Sequence, residues 1–452
     1  MIIQSIGNVS FTENDLVSLK SCAFPDTVVQ SLTESTIFVF KIGKYYCYSI
    51  FTTTPDASAS RGHRQFSYVI ATSLPYVYPF TRILHSSMSL FDMPPNDVLV
   101  LISDFVQKSI SLFPRCVGDD KEIPTFDGGL AVGLPSSTAE LLDFVGSMGW
   151  TPQCKKYLIN SNFLGSDLIF AFSVNQLISS GRSGDLLRIW ESAMIDESIM
   201  VYGSNPTITS TAVLAIASLL YPEPIPLNLY PFVSVTDPRF QILTKSCPKG
   251  TIAGFSNPIA LQRTSQFDLV LTTGFTDQEN GLNIPKLANW PMAMNSKPHN
   301  NSNLRHIFYL NTVKVTEAII TCLQKLRETN PYAEFVAQID SNVLASQIVQ
   351  QGVQLNMSPR CFANKLIRST FFTHIWRKRC TFEALLTELK HFSVDSLCTG
   401  KIEHELIDIY STVKNVRRKC AGHKNLEEII DADLTTITLY LSPDIILAPA
   451  ME

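Results

Sequence analysis

The turn Gly203-Ser204-Asn205-Pro206 stands between a short apolar run and a helical one, and is where this chain comes nearest to a chemical motif. A helix N-terminus offers free N–H donors and the positive end of a dipole, which suits a phosphate. A Walker A loop would add a lysine followed by Ser or Thr, and a dinucleotide fingerprint would add three spaced glycines. Neither is present. The same residues read as a helix cap, with Ser204 or Asn205 accepting the first N–H bonds and Pro206 filling the first turn. The cap is the favoured reading.

Other chemistry is sparse. The eight histidines are scattered, with no HExxH, and no GxSxG elbow occurs. Of the ten cysteines no two form a CxxC, and most sit in apolar or aromatic segments, such as Cys47 in YYCYS. Reduced, buried thiols are expected rather than disulfides or a zinc site. Arg61, before Gly62, is either an ordinary loop charge or an arginine finger for phosphoryl transfer on a GTPase. The runs Arg377-Lys378-Arg379 and Arg417-Arg418-Lys419 read first as solvated helix faces, and otherwise as contacts for anionic lipid or an acidic partner. No bond-making catalysis, metal or cofactor is expected.

The composition bounds the elements that position these residues. At 452 residues the chain is too long for one ordinary core. Its 45% hydrophobic and 17% charged residues are the reverse of a disordered balance, so packed cores are expected through most of the length. A net charge of −4 argues against nucleic-acid partners. The N-terminus lacks the basic start and apolar run of a signal peptide. The most apolar window, 211–221, is about half of the ~20 residues a membrane span needs. A soluble, cytoplasmic protein is expected, with any membrane contact borrowed from a partner.

Residues 35–53 read as a hairpin broken at Ile42-Gly43-Lys44, and 65–72 as a third strand. Helical spacing follows over 76–91 and from about 96. Turn chemistry fills 115–137, with one possible strand over 125–132. Next come a helix at 186–194, a strand at 199–202, a helix at 207–220, and short strands at 232–235, 251–255 and 269–272. That alternation predicts a mostly parallel sheet covered on both faces. Residues 276–303 read as a loop. From about 314 only helices are predicted: 313–328, 342–351, 362–375, 382–392, 404–414 and 426–441.

In order, several of these segments resemble the DENN-domain family, and its subfamily six in particular. The resemblance starts at Arg61-Gly62 and Leu74-Pro75-Tyr76. It is clearest in LLRIWESAMIDESIMVYGSNPTITSTAVLAIASLLYP, with Trp190-Glu191 and Ser204 to Pro206 on pattern. NLYPFVSVTDPRFQIL follows with Tyr230, Pro231, Asp237 and Phe240, and TIAGFSNPIA with Gly254, Ser256, Asn257 and Pro258. Ser296-Lys297-Pro298 and LIRSTFFTHIWRKRCTFEAL, with its Phe372–Trp376–Arg379 frame, complete the series.

The resemblance implies an α/β plus all-α fold in three modules: a longin-like α/β module over 1–150, a central Rossmann-like α/β module over 151–313, and a helical module over 314–452. It also implies a guanine nucleotide exchange factor for a Rab-type GTPase in vesicle trafficking, recruited to endosomal or other vesicle membranes. The GTPase would sit across the first two modules, with Arg61, Ser204, Asn205, Asp237 and Asn257 as the residues meeting it. A DENN-fold scaffold, or a GTPase-activating component using Arg61, is the alternative.

Overall fold

A computed structural model describes residues 11–26, 35–60, 62–73, 77–112, 121–132, 185–220, 223, 228–273, 301–333 and 339–442. The chain is of mixed α/β class and divides into two compact units, Met1–Thr312 and Val313–Glu452.

The first unit opens with helix α1 (Glu13–Ala23), which sequence reasoning did not place. Its signal is a capping box: Thr12 accepts from the Asp15 N–H, and the Asp15 carboxylate answers the Thr12 N–H. Strands β1 (Thr36–Ile42), β2 (Tyr45–Pro55) and β3 (His63–Thr72) form an antiparallel sheet in that order. Gly43, at φ +54°, makes the β1–β2 turn, as the Ile42-Gly43-Lys44 break predicts. Phe38, Phe40, Cys47 and Phe51 turn one face of the sheet to α1. On the other, Tyr48 stacks on Phe80 of α2 (Val77–Ser86), with centroids 5.1 Å apart.

After α3 (Pro95–Leu112), the chain forms β4 (Lys121–Thr125) and β5 (Gly128–Val132). These pair with each other as a separate hairpin. The one strand expected over 125–132 is instead the turn and second arm of this hairpin, and it comes back beside α2 and α3: Phe126 stacks on Phe105 of α3, at 4.1 Å, and its N–H donates to Ser86 of α2 at 3.2 Å.

The second sheet is parallel throughout, in the order β7 (Asn228–Tyr230), β8 (Thr251–Phe255), β6 (Ile199–Gly203), β9 (Leu269–Thr273). Helix α4 (Asp185–Met194) precedes β6, and α5 (Pro206–Ser218) follows it and covers one face. Phe240 and Leu243 of α6 (Pro238–Lys245) pack with Met200, Tyr202, Ala253 and Phe255 on the other. Alternate strand residues face opposite ways, so a fully buried run such as IMVYG serves both layers.

The expected strand at 232–235 is not formed; pairing stops at Tyr230. Pro231 has no N–H for the ladder. Phe232 then leaves the sheet and enters the core of the antiparallel sheet, its ring 5.3 Å from that of Phe38.

The helix α7 (Asn301–Thr329) contains the division between units. The second unit continues with α8 (Ser341–Gln350), α9 (Pro359–Leu366), α10 (Thr370–Arg379), α11 (Phe382–Leu389), α12 (Val394–Cys398), α13 (Glu403–Lys419) and α14 (Lys424–Tyr440). The single helix expected over 362–375 is two. Ser369 is extended and accepts from the Phe372 N–H, starting a new helix where the old one ends. The core of this unit gathers Tyr332, Leu385, Val413, Val416, Ile430 and Ile437.

Among the described cysteines none is paired. Five are buried, but Cys361 is exposed, against the expectation for the thiols, because Phe362, Ala363 and Leu366 take the inner face of its helix.

Candidate functional site

Three turns of the parallel sheet follow the carboxyl ends of its strands, where open α/β sheets place their ligand crevices. After β6, the Ser204 N–H donates to the Thr273 carbonyl at 3.1 Å, tying the turn to the end of β9. Asn205 is the N-cap of α5: its Oδ1 accepts from the Ile208 N–H at 2.9 Å. The turn is tight because Gly203 lies against α5; a Cβ there would be 2.2 Å from Thr209 Oγ1.

After β8, Asn257 caps the 3₁₀ segment Pro258–Gln266, accepting from the Ile259 N–H at 3.0 Å. Its amide donates to the Asp26 carbonyl at 3.2 Å, across to the segment leaving α1. Asp26 in turn accepts from the Val235 N–H at 2.7 Å.

Asp237 caps α6, accepting from the Arg239 N–H, and only 1% of it is exposed. Ser18 donates to Oδ1 at 3.1 Å and Cys22 to Oδ2 at 3.0 Å. Arg239 donates to both oxygens, and its Nη1 reaches the Lys41 carbonyl on β1. Burial alone would raise the Asp237 carboxyl, but the bonds and charge of Arg239, with the Cys22 bond, hold it below the ordinary range. Burial and then the Asp237 charge push the Cys22 thiol well up, so it stays protonated and donates.

The two sheets meet along the free edge of β1. Thr207 donates to the Ile37 carbonyl at 2.6 Å, the Val39 N–H donates to Ser210 at 3.2 Å, and Arg239 takes the Lys41 carbonyl. Side chains thus occupy an edge that would otherwise pair with another strand.

Ser204, Asn205, Asp237 and Asn257 therefore lie on one edge of one sheet, beside α1 and β1. Ser204, Asn205 and Asn257 are half-buried; Asp237 faces inward. Arg61, Leu74-Pro75-Tyr76 and Ser296-Lys297-Pro298 lie outside the described residues. Sequence reasoning missed Ser18, Cys22, Asp26 and Arg239, whose partners are some 200 residues away in the chain. It also missed Ile259, 47% exposed beside Asn257, although its place in the TIAGFSNPIA segment was a signal. Trp190 donates to Thr312 at 3.0 Å and packs toward Phe308, so that family position anchors α7.

Among the described residues no three His, Cys, Asp or Glu side chains gather as metal ligands would, and no helix is long and apolar enough to cross a membrane.

No protein-family model matches the chain. Mouse and human DENND6B (Mus musculus, Homo sapiens) are each 25% identical to it over 244 residues, covering 51% of this chain and 38% of theirs. Chicken DENND6A (Gallus gallus) is 22% identical over 296 residues, covering 62% and 47%. The chain thus spans less than half the length of these relatives. They bear out the resemblance read from the motifs: the chain is a relative of the DENN-domain proteins of subfamily six.

Proposed function

We propose that this chain is a guanine nucleotide exchange factor that promotes GDP release from a Rab-type GTPase. The reading rests on the family kinship and on one observation above all. Turns far apart in the sequence converge on the carboxyl edge of the parallel sheet, where β1 and α1 adjoin it. Such an edge, with half-buried Asn205 and Asn257 and exposed Ile259, can offer a polar rim and an apolar contact to a protein partner.

The mechanism needs no nucleophile. A protein that binds the GTPase best with its nucleotide site empty and its switch segments displaced must, by linkage, weaken nucleotide binding. The interface would bury on the order of 1,200–2,000 Å². In this reading Ser204, Asn205 and Asn257 meet the switch segments, and Asp237 acts indirectly by holding α1 and β1 against the sheet. The antiparallel sheet serves as the longin-like half and the parallel sheet as the Rossmann-like half. The chain works from the cytoplasm at endosomal or other vesicle membranes.

The test is release of fluorescent GDP from a panel of purified Rab proteins. Acceleration on one or two of them is expected, reduced by Asn257→Ala in a folded sample. A folded chain that accelerates none across a full panel refutes the exchange reading.

A further inference from the structure

A charge asymmetry in the helical unit has no part in the reading above. From Ser341 to Phe382 the chain has no Asp or Glu, yet it carries Arg360, Lys365, Arg368, Arg377, Lys378 and Arg379. The rest of the protein then holds 30 Lys and Arg against 40 Asp and Glu, so a strongly positive segment sits in an acidic chain. The fold keeps that charge outside. Helix α9 buries Phe362, Ala363 and Leu366, and α10 buries Phe371, Phe372 and Ile375. All six basic residues are exposed.

Four of them, Arg360, Arg368, Arg377 and Arg379, have no ion pair among the described residues. Arg417, by contrast, is held by Glu427 and Asp431. The nearest acids along the chain stand at its two ends: Asp340, capping α8, and Glu383, in the first turn of α11. Lys314 adds a cation beside the segment, donating to the Gly352 carbonyl at 3.1 Å.

We infer that the basic α9–α10 segment is a docking surface for an anionic membrane. Four to eight clustered Lys or Arg are attracted to the negative potential of acidic lipid headgroups. A folded protein partner is the poorer fit, because stable protein interfaces have an apolar centre. Among the described residues, no large apolar side chain of α9 or α10 is exposed. The four unpaired arginines, without such a centre on their helices, suit a diffuse charged plane.

The test is co-sedimentation of the full chain with phosphatidylcholine vesicles, with and without phosphatidylserine. Binding is expected only with phosphatidylserine, weakening as salt rises. Arg368→Glu/Arg377→Glu/Arg379→Glu is expected to bind about tenfold less or weaker still. Lys20→Glu/Lys245→Glu/Lys249→Glu, an equal charge change at exposed lysines of the other unit, is expected to bind as the parent does; circular dichroism checks that both variants fold. Several results would overturn the inference: no binding by the folded parent, equal binding to neutral vesicles, equal loss in both variants, or binding to soluble polyglutamate without binding to vesicles.

Discussion

Arg239 and Asp237 stand two residues apart at the start of one helix, and their contact joins three segments of the chain. The guanidinium takes both carboxylate oxygens of Asp237 and also the Lys41 carbonyl on the edge strand β1. The carboxylate takes Ser18 and Cys22 from α1. Removing either partner leaves a buried charge uncompensated. Arg239→Ala is expected to destabilise the first unit by about 3–5 kcal/mol, and Asp237→Ala by less, because Arg239 retains 20% side-chain exposure and can turn to water. Urea denaturation measures both; unchanged midpoints would show the pair to be dispensable.

The same carboxylate sets a pH dependence. Its folded pKa lies below the ordinary carboxyl value of 3.8, so the folded state binds the proton less readily than the unfolded state. Its contribution is fully present above about pH 5 and is lost as pH falls through 3.8 toward the folded pKa. Acid titrations of the parent and Asp237→Asn should converge at low pH. Curves that stay parallel through that window would contradict the assignment.

Gly254 is needed for space rather than for its dihedral angles. A Cβ there would lie 2.3 Å from the Pro231 carbonyl oxygen, 2.6 Å from Thr209 Cγ2 and 3.1 Å from Val213 Cγ2. Two of these groups belong to α5 and one to backbone, so none can swing aside. Gly254→Ala is expected to cost about 1–3 kcal/mol or to lower the soluble yield. Gly400→Ala, at an open position with φ +75°, tests backbone strain alone and should cost less. Thermal denaturation ranks the two.

The hydroxyls on α5 close the edge of β1. Thr207→Val keeps the shape but removes the donor to the Ile37 carbonyl, and Ser210→Ala removes the acceptor for the Val39 N–H. Each should cost about 1 kcal/mol, and amide exchange at Val39 should speed up in the second. An unchanged Val39 exchange rate would mean that water replaces Ser210 without loss.

In the helical unit, the Tyr332 hydroxyl donates to Asp433, and Tyr332 is fully buried. Burial also raises the Asp433 carboxyl above its ordinary range. Tyr332→Phe should cost about 1–3 kcal/mol because the acceptor then loses its donor in a poorly solvated place. Guanidinium denaturation followed in the helical unit reads the loss, and an unaltered transition would exclude it.

Local pattern made much of the fold legible. Alternation and the Gly43 turn announce the β1–β2 hairpin, and the apolar runs at 251–255 and 269–272 announce the strands β8 and β9. Asn205-Pro206 reads as a cap and caps α5, and Asp237 and Asn257, likewise followed by proline, cap the segments after them. Where local pattern misled, a distant contact overruled it. Phe232 looks like a strand residue, but its ring has a better site beside Phe38 than in the sheet. The 362–375 run has unbroken helical composition, but the Ser369 side chain satisfies a new helix start.

By itself, the sequence determined most of the strands and helices, the caps and the acid-free stretch, because each depends on neighbours a few residues apart. It also carried the ordered family motifs. Tertiary structure alone decided that Asp237 faces α1 and β1, that Asn257 reaches Asp26, and that Thr207 and Ser210 seal a strand some 170 residues away. No local pattern encodes those pairings. A buried donor or acceptor must find a partner, and which partner it finds is set only when the packed sheets bring distant segments within hydrogen-bonding reach.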